Sequence, residues 1–426
     1  MTTAAQSPEE FMRLDSQRLI ASQTIKFGLV PTSVDEEDEG SRRCAWNGGS
    51  VLQERRRYEW ALEGETIRKE LMELLSSRHE KLSVPITLWP GVHVEGEVFQ
   101  LPSPSDLHSA AHEYTNQMFF SSTTPQFIEE NLILQIEAGE QGQVPILIIK
   151  RNYAVREEKQ DQHWHDPAIV ILHSSYKSKE CLRALLKNYA TRGYVAIGVD
   201  SRHHGQRAAS KTAYSDALVS AWKNSKEMPF IFDTAWDLVK LMDYLTSRDD
   251  IDSKRIGILG ISLGGMHTWF AATLDPRYAV VVPIIGVQNF GWAIKNDKWH
   301  ARVASIPHAF EIAAKDFGKK SIDSKVVSTV LDKIAPGLID QFDSQHTIPA
   351  IAPRPLLILN GKEDPRCPID GLEFTIDKTK KIYADYGFPH NFKFIAEPNM
   401  GHYPSSSMLH EASCWFDKFL EPQVSH

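Results

Sequence analysis

The stretch "GILGISLGG", residues 257–265, decides how this chain is read. An apolar run stops at Gly260, and Ser262 follows, boxed by Gly260 and Gly264. The five residues Gly260-Ile261-Ser262-Leu263-Gly264 fit the G-x-S-x-G nucleophile elbow, in which a strand turns sharply into a helix with the serine at the apex. Side chains at the flanking glycines would collide with neighbouring backbone. The helix that follows directs its first amides toward the reacting oxygen. The context is right here: "RIGILGIS" reads as a buried strand, and "LGGMHTWFAATL" as a helix stopped by Asp275-Pro276.

Outward from the elbow the same alternation continues. "AIVILHSS", "VAIGVDSR", "AVVVPIIG" and "RPLLILNG" are apolar runs without polar alternation, as in strands buried on both faces, and "NFKFIAEP" reads as the last strand. "KECLRALLKNYATRGY", "FDTAWDLVKLMDYLTSR" and "SMLHEASCWFDKFL" are helices between or after them. "NLILQIEAG" and "VPILIIKR" read as paired strands joined by a Gly-containing turn. The expected fold class is α/β, a mostly parallel central sheet covered by helices on both faces.

Residues 1–125 read as a mostly helical N-terminal extension, with residues 126–426 as the catalytic domain. "PEEFMRLDSQRLIASQTIKFG" fits one helix. "SVLQERRRYEWALEGETIRKELMELLSSR" fits a longer one, with an apolar stripe at Leu52, Tyr58, Leu62, Ile67, Leu71 and Leu75. The loop between them, "VDEEDEGSRR", is charged. The stretch 86–125 yields no assignment. Between "PIIG" and "RPLLILNG" the alternation is interrupted from about 287 to 348, a helical insert with Phe290, Trp292, Trp299, Phe310 and Phe317.

A serine hydroxyl needs a base to take its proton. The elbow's partners follow in the order serine, acid, histidine, on loops after late strands. "RPLLILNGKEDPRCP" offers Asp364, with Glu363 as an adjacent competitor, and "NFKFIAEPNMGHYP" offers His402. All three lie at the carboxyl edge of the sheet, where open α/β sheets bind ligands. The oxyanion hole calls for the amide of Leu263 and one from the loop His173-Ser174-Ser175-Tyr176. Ser175 is the expected donor and Ser174 the alternative. Tyr176, Trp292 and Trp299 are candidate substrate contacts, with ordinary packing as the competing role for the insert's aromatics.

Taken together, "LHSS", "GVDSRHHGQR", "GILGISLGG", "LILNGKEDPRCP" and "NMGHYP" resemble the α/β-hydrolase superfamily over roughly residues 128–420. They are most similar to its dienelactone-hydrolase, acetyl-xylan-esterase and prolyl-oligopeptidase-like branches. The resemblance implies a serine hydrolase whose insert serves as a lid. Two departures matter. The dienelactone hydrolases carry a cysteine nucleophile where this chain has Ser262, and Ser174 replaces the usual glycine after the loop histidine. The helical N-terminal part matches no β-propeller.

The expected activity is cleavage of a carboxylic ester through an acyl-enzyme. An amidase or peptidase, an acyltransferase, and a non-catalytic small-molecule receptor on the same scaffold are the alternatives. No cofactor or metal is implied. Asp200, His203 and His204 adjoin one another, but adjacent side chains on extended chain point apart. His163 and His165 read as a solvated loop. A net charge of −8 without a basic block argues against nucleic acid. No apolar run is long enough for a membrane helix. The N-terminus lacks the order of a secretory signal, and the four cysteines form no C-x-x-C pair, so a cytoplasmic location is expected. The N-terminal helices could dock on the domain, add to the pocket, or mediate homodimerisation.

Overall fold

The computed structural model describes residues 48–91, 126–152 and 165–422. The first expected helix, the acidic loop, Cys44 and His163 lie outside them. Residues Ser50–His426 cluster as one compact unit.

Among the described residues, nine strands form one sheet: β1 (Ser83–Pro90), β2 (Phe127–Glu137), β3 (Gln143–Arg151), β4 (Asp166–Leu172), β5 (Val195–Val199), β6 (Ile251–Ile261), β7 (Val280–Ile284), β8 (Leu356–Gly361) and β9 (Phe392–Glu397). Their order is β1-β2-β3-β5-β4-β6-β7-β8-β9. The first four in that order pair antiparallel, and every pair from β5 to β9 is parallel. β6 is central, with its Ile258 beside Val170 of β4 and Val281 of β7.

The non-alternating apolar runs now have their reason. Val170 and Leu172 face one buried cluster, Ile169 and Ile171 the other. Helices Arg183–Thr191 and Ser406–Leu420 cover one face. Gly257 makes room for the second of these. A Cβ there would sit 2.5 Å from the Phe416 ring. Helices Phe232–Leu245 and Leu263–Leu274 cover the other face.

The long helix Gly48–His79 docks on that second face through Leu71 and Leu75, both fully buried. The expected stripe is only half used. Leu52, Tyr58 and Leu62 are 58%, 70% and 53% exposed, because the helix runs past the core before its first turns meet an apolar partner among the described residues. Its C-terminal end is held by charge instead. His79 lies between Glu137 (2.8 Å) and Asp233 (3.1 Å), all three buried. The stretch that sequence left unassigned begins as edge strand β1, whose prolines Pro85 and Pro90 suit a strand with one unpaired side.

The insert is built as five short helices, Phe290–Lys295, His300–Ser305, Pro307–Asp316, Ser324–Ile334 and Ser344–Thr347. Phe290, Phe310, Val326, Val330 and Leu331 belong to the same buried cluster as the sheet's second face. Trp299 is buried there too, its ring stacked on His300 at 3.8 Å. Phe317 is 45% exposed and meets only the edge of Trp222 among ring partners. The insert is therefore continuous with the core. Asp343 staples its two ends, accepting the amides of Phe290 (3.1 Å) and Gly291 (2.8 Å).

Candidate active site

At the end of β6 the backbone of Ser262 takes φ 58° and ψ −111°, outside the regions that L-residues prefer. Tight packing imposes this. A Cβ on Gly260 would lie 2.1 Å from the Gly264 carbonyl oxygen. One on Gly264 would lie 2.5 Å from that of Leu172 on β4. The helix start is thus pressed between β6 and β4, and only glycine fits. The Ser262 amide donates to Ile284 of β7 at 2.9 Å, which locks the apex. Leu263 is the first helical residue, so its N–H has no acceptor within the helix.

Ser262 Oγ lies 2.7 Å from His402 Nε2, and His402 Nδ1 lies 2.7 Å from Asp364 Oδ2. With the proton on Nδ1, the imidazole donates to Asp364 and offers Nε2 as acceptor to the hydroxyl. Ser262 and Asp364 are buried, and the His402 side chain is 8% exposed. The second Asp364 oxygen accepts the amides of Arg366 (2.8 Å) and Cys367 (3.2 Å). Burial alone would raise the Asp364 pKa. The facing His402 and these amides outweigh it and hold the carboxyl below its ordinary value. Burial pushes His402 below the ordinary imidazole value, against the opposing pull of Asp364. The imidazole is therefore a neutral acceptor at pH 7, the form a base must have.

The loops that carry the acid and the histidine are zipped together. A Cβ on Gly361 would fall 2.3 Å from the Met400 carbonyl oxygen, so this glycine lets the histidine loop cross close over the end of β8. Lys362 and Glu363 donate their amides to the Glu397 and Met400 carbonyls at 2.8 and 3.0 Å. The Glu363 carboxylate accepts the Met400 amide at 2.8 Å. Glu363 thus braces the histidine loop, and the carboxylate at the imidazole is that of Asp364. Neither Gly361 nor this brace was read from the sequence, although a glycine ending an apolar strand is a usable signal.

The other expected residues fall as follows. Ser174 and Ser175 lie half-buried on the loop after β4. His173 holds that loop, accepting the Ser201 amide at 3.1 Å. Tyr176 has φ 63° and donates its hydroxyl to the Ser305 carbonyl of the insert at 3.0 Å. Trp292 is half-buried over Gly371, and Trp299 goes to the core. A cleft of about 310 Å³ beside Asp364 is lined by Lys298, His300, Lys362, Asp364 and Asp370 among others. Asp200 and His204 take separate partners: Asp200 accepts the Lys179 and Gln206 amides at 2.8 and 3.0 Å, and His204 bonds to the Arg202 carbonyl.

Known proteins resemble this chain in sequence and fold. YtaP, named as a hydrolase, and YitV, named as an esterase, both of Bacillus subtilis (strain 168), are 25% and 22% identical over 228 and 288 residues. Those matches take in 54% and 68% of this chain, and 66% and 100% of the relatives. Among solved structures, a methylesterase, BT1017, aligns with TM-score 0.53 at 16% identity, covering 93% of this chain and 76% of its own. Acetyl xylan esterase 1 from Thermoanaerobacterium sp. aligns with TM-score 0.51, also at 16%, covering 83% and 93%. At such identities these structures speak for the α/β-hydrolase fold. The sequence model described as "Glucuronyl esterase, fungi" matches residues 167–387, more than half of the chain, and the protein belongs to that family of carboxylic ester hydrolases.

Proposed function

We propose that Ser262, His402 and Asp364 are the catalytic triad of this esterase. The observation that carries the reading is the unbroken chain from Ser262 Oγ through the imidazole to Asp364, two contacts of 2.7 Å on a strained elbow. Ser262 attacks the ester carbonyl while Nε2 takes its proton. His402 returns that proton to the leaving alcohol, and Asp364 stabilises the imidazolium. Water then attacks the acyl-enzyme with His402 as base. The amides of Leu263 and Ser175 are the proposed donors to the tetrahedral oxyanion.

The family description makes a glucuronyl ester the first substrate class to try. A panel of benzyl glucuronate, a sugar acetate and simple acyl esters, each with and without an added alcohol acceptor, tests substrate and reaction type together. Turnover of no ester, or retained turnover in Ser262→Ala, sinks the assignment. A matched amide substrate separates an amidase, and trapping of acyl groups on the acceptor separates an acyltransferase. A reducing, cytoplasmic setting is part of this proposal, resting on the four widely spaced cysteines of the sequence.

A further inference from the structure

Arg302 stands out among the buried groups that the triad itself does not use. It sits on the insert helix His300–Ser305 and is 5% exposed. Its Nη2 donates to the Cys367 sulfur at 3.8 Å, three residues beyond Asp364. With its amide oxygen toward Arg302, Gln288 accepts from Nη2 at 2.8 Å and from Nε at 3.1 Å. The same amide then donates to the Arg366 carbonyl at 2.8 Å. The acid loop is thus held from the insert side by one guanidinium, directly and through one amide. The same helix reaches the opposite flank of the site, where the Ser305 carbonyl accepts the Tyr176 hydroxyl.

These contacts satisfy hydrogen bonds but leave the charge uncompensated. Among the described residues no carboxylate lies within ion-pair distance of Arg302. Asp364 acts on it from farther away. A buried cation without a counter-ion in contact is destabilising. Such a cost is tolerated where the charge serves a neighbouring group, and that group is the Asp364–His402 pair.

We propose that Arg302 is a positioning residue for this reaction: it fixes the acid loop that presents Asp364 and keeps a positive charge beside the Asp364–His402 pair. This rests on the triad reading above. It also gives the insert a part in the chemistry beyond that of the lid the resemblance implied. The groups that face His402 are Asp364, Arg366 and Cys367 from the acid loop, Arg302 from the insert and Ser262 from the elbow. The two arginines oppose protonation of the imidazole and Asp364 favours it. Removing one arginine charge therefore moves the acid limb of activity to higher pH. Loss of the fork geometry lets the acid loop shift, and a misplacement of the order of an ångström can cost about 100-fold.

The test compares wild type, Arg302→Gln and Arg302→Lys on p-nitrophenyl acetate, with kcat, KM, the full pH profile and a thermal melt for each. Fluorophosphonate labelling of the wild type is mapped to its residue. Arg302→Gln is expected to lower kcat roughly 10- to 100-fold with KM little changed, and to move the acid limb upward. Arg302→Lys, which keeps the charge but not the fork, should lower kcat and leave the acid limb in place. A folded Arg302→Gln with wild-type kcat or an unmoved acid limb overturns the proposal while the triad stands. If Arg302→Gln does not fold, Arg302→Lys decides: a lowered kcat with the limb unmoved supports the role, and wild-type kcat refutes it. Labelling that misses Ser262 removes the triad reading, and this inference with it.

Discussion

Residues 257–265 and residues 287–348 both bear on the same site, yet they are held by different physics. The elbow is fixed by exclusion. Gly260 and Gly264 leave no room for a single carbon, and Ser262 is forced to φ 58° between β6 and β4. The insert is fixed by burial. Its helices are short, and what holds them is Phe290, Phe310, Val330 and Leu331 packed into the core of the sheet. A steric constraint spans five residues and leaves a mark in the sequence. A packing constraint spans the whole fold and leaves only a composition. This contrast predicts that substitutions in the two regions fail differently, the elbow and triad in rate and the insert's packing residues, Arg302 apart, in stability or selectivity.

The sharpest separation comes from Ser262→Ala. It should lower kcat by about 10⁶ and leave the melting temperature near that of the wild type. A fluorophosphonate should label the wild type once and the variant not at all. Asp364→Asn is next, with a loss of about 10⁴ in kcat if the carboxylate sets the imidazole tautomer. Glu363→Gln should cost less than about tenfold, since only the exposed brace to the Met400 amide is weakened. A reversed ranking would transfer the acid's role to Glu363.

Substitutions of the insert's apolar side chains should reverse the pattern. Trp299→Ala and Leu331→Ala each remove a large buried side chain and should destabilise the fold by about 2–5 kcal/mol in denaturant unfolding. Their kcat for a small ester at 25 °C should remain close to wild type. A Trp299→Ala variant that keeps its stability and changes substrate preference would place that ring in the pocket after all. Trp292 is half-buried, and Trp292→Ala should change discrimination between a bulky and a small ester by about 1–3 kcal/mol, read as the ratio of their kcat/KM values. Equal losses for both esters would make it a packing residue.

The smallest effect is in the pH profile of the wild type. Burial lowers the pKa of His402, so the neutral base persists below the ordinary imidazole value. Activity should hold from pH 8 down to about 6.5 and fall only at lower pH, where the imidazole gains its proton. An acid limb centred above about 6.5 would show that Asp364 outweighs burial.

Much of this molecule was legible in the chain. The apolar runs of β4, β5, β7 and β8 became strands buried along nearly their whole length, because burial on both faces leaves little room for polar residues. The order of serine, acid and histidine placed all three on the carboxyl edge, because parallel strands present their following loops on one side. Other features were not legible. Leu52, Tyr58 and Leu62 repeat at helical spacing but meet no core, because periodicity tells which face is apolar and not what it will touch. The prolines of β1 masked an edge strand. Asp364 and Glu363 are neighbours of equal chemistry, and only the path of the loop directs one to His402 and the other to the Met400 amide. Arg302 carries no motif at all. It is one arginine on a short helix, and its place beside the acid loop exists only once the insert has folded against the sheet. By itself the sequence determined the parallel strands, the elbow and the order of the proposed triad, because these follow from local sterics and from burial along the chain. The tertiary structure alone decided which carboxylate meets the imidazole, and that the insert reaches both flanks of the site. Those contacts join residues tens to hundreds of positions apart, and no local preference encodes them.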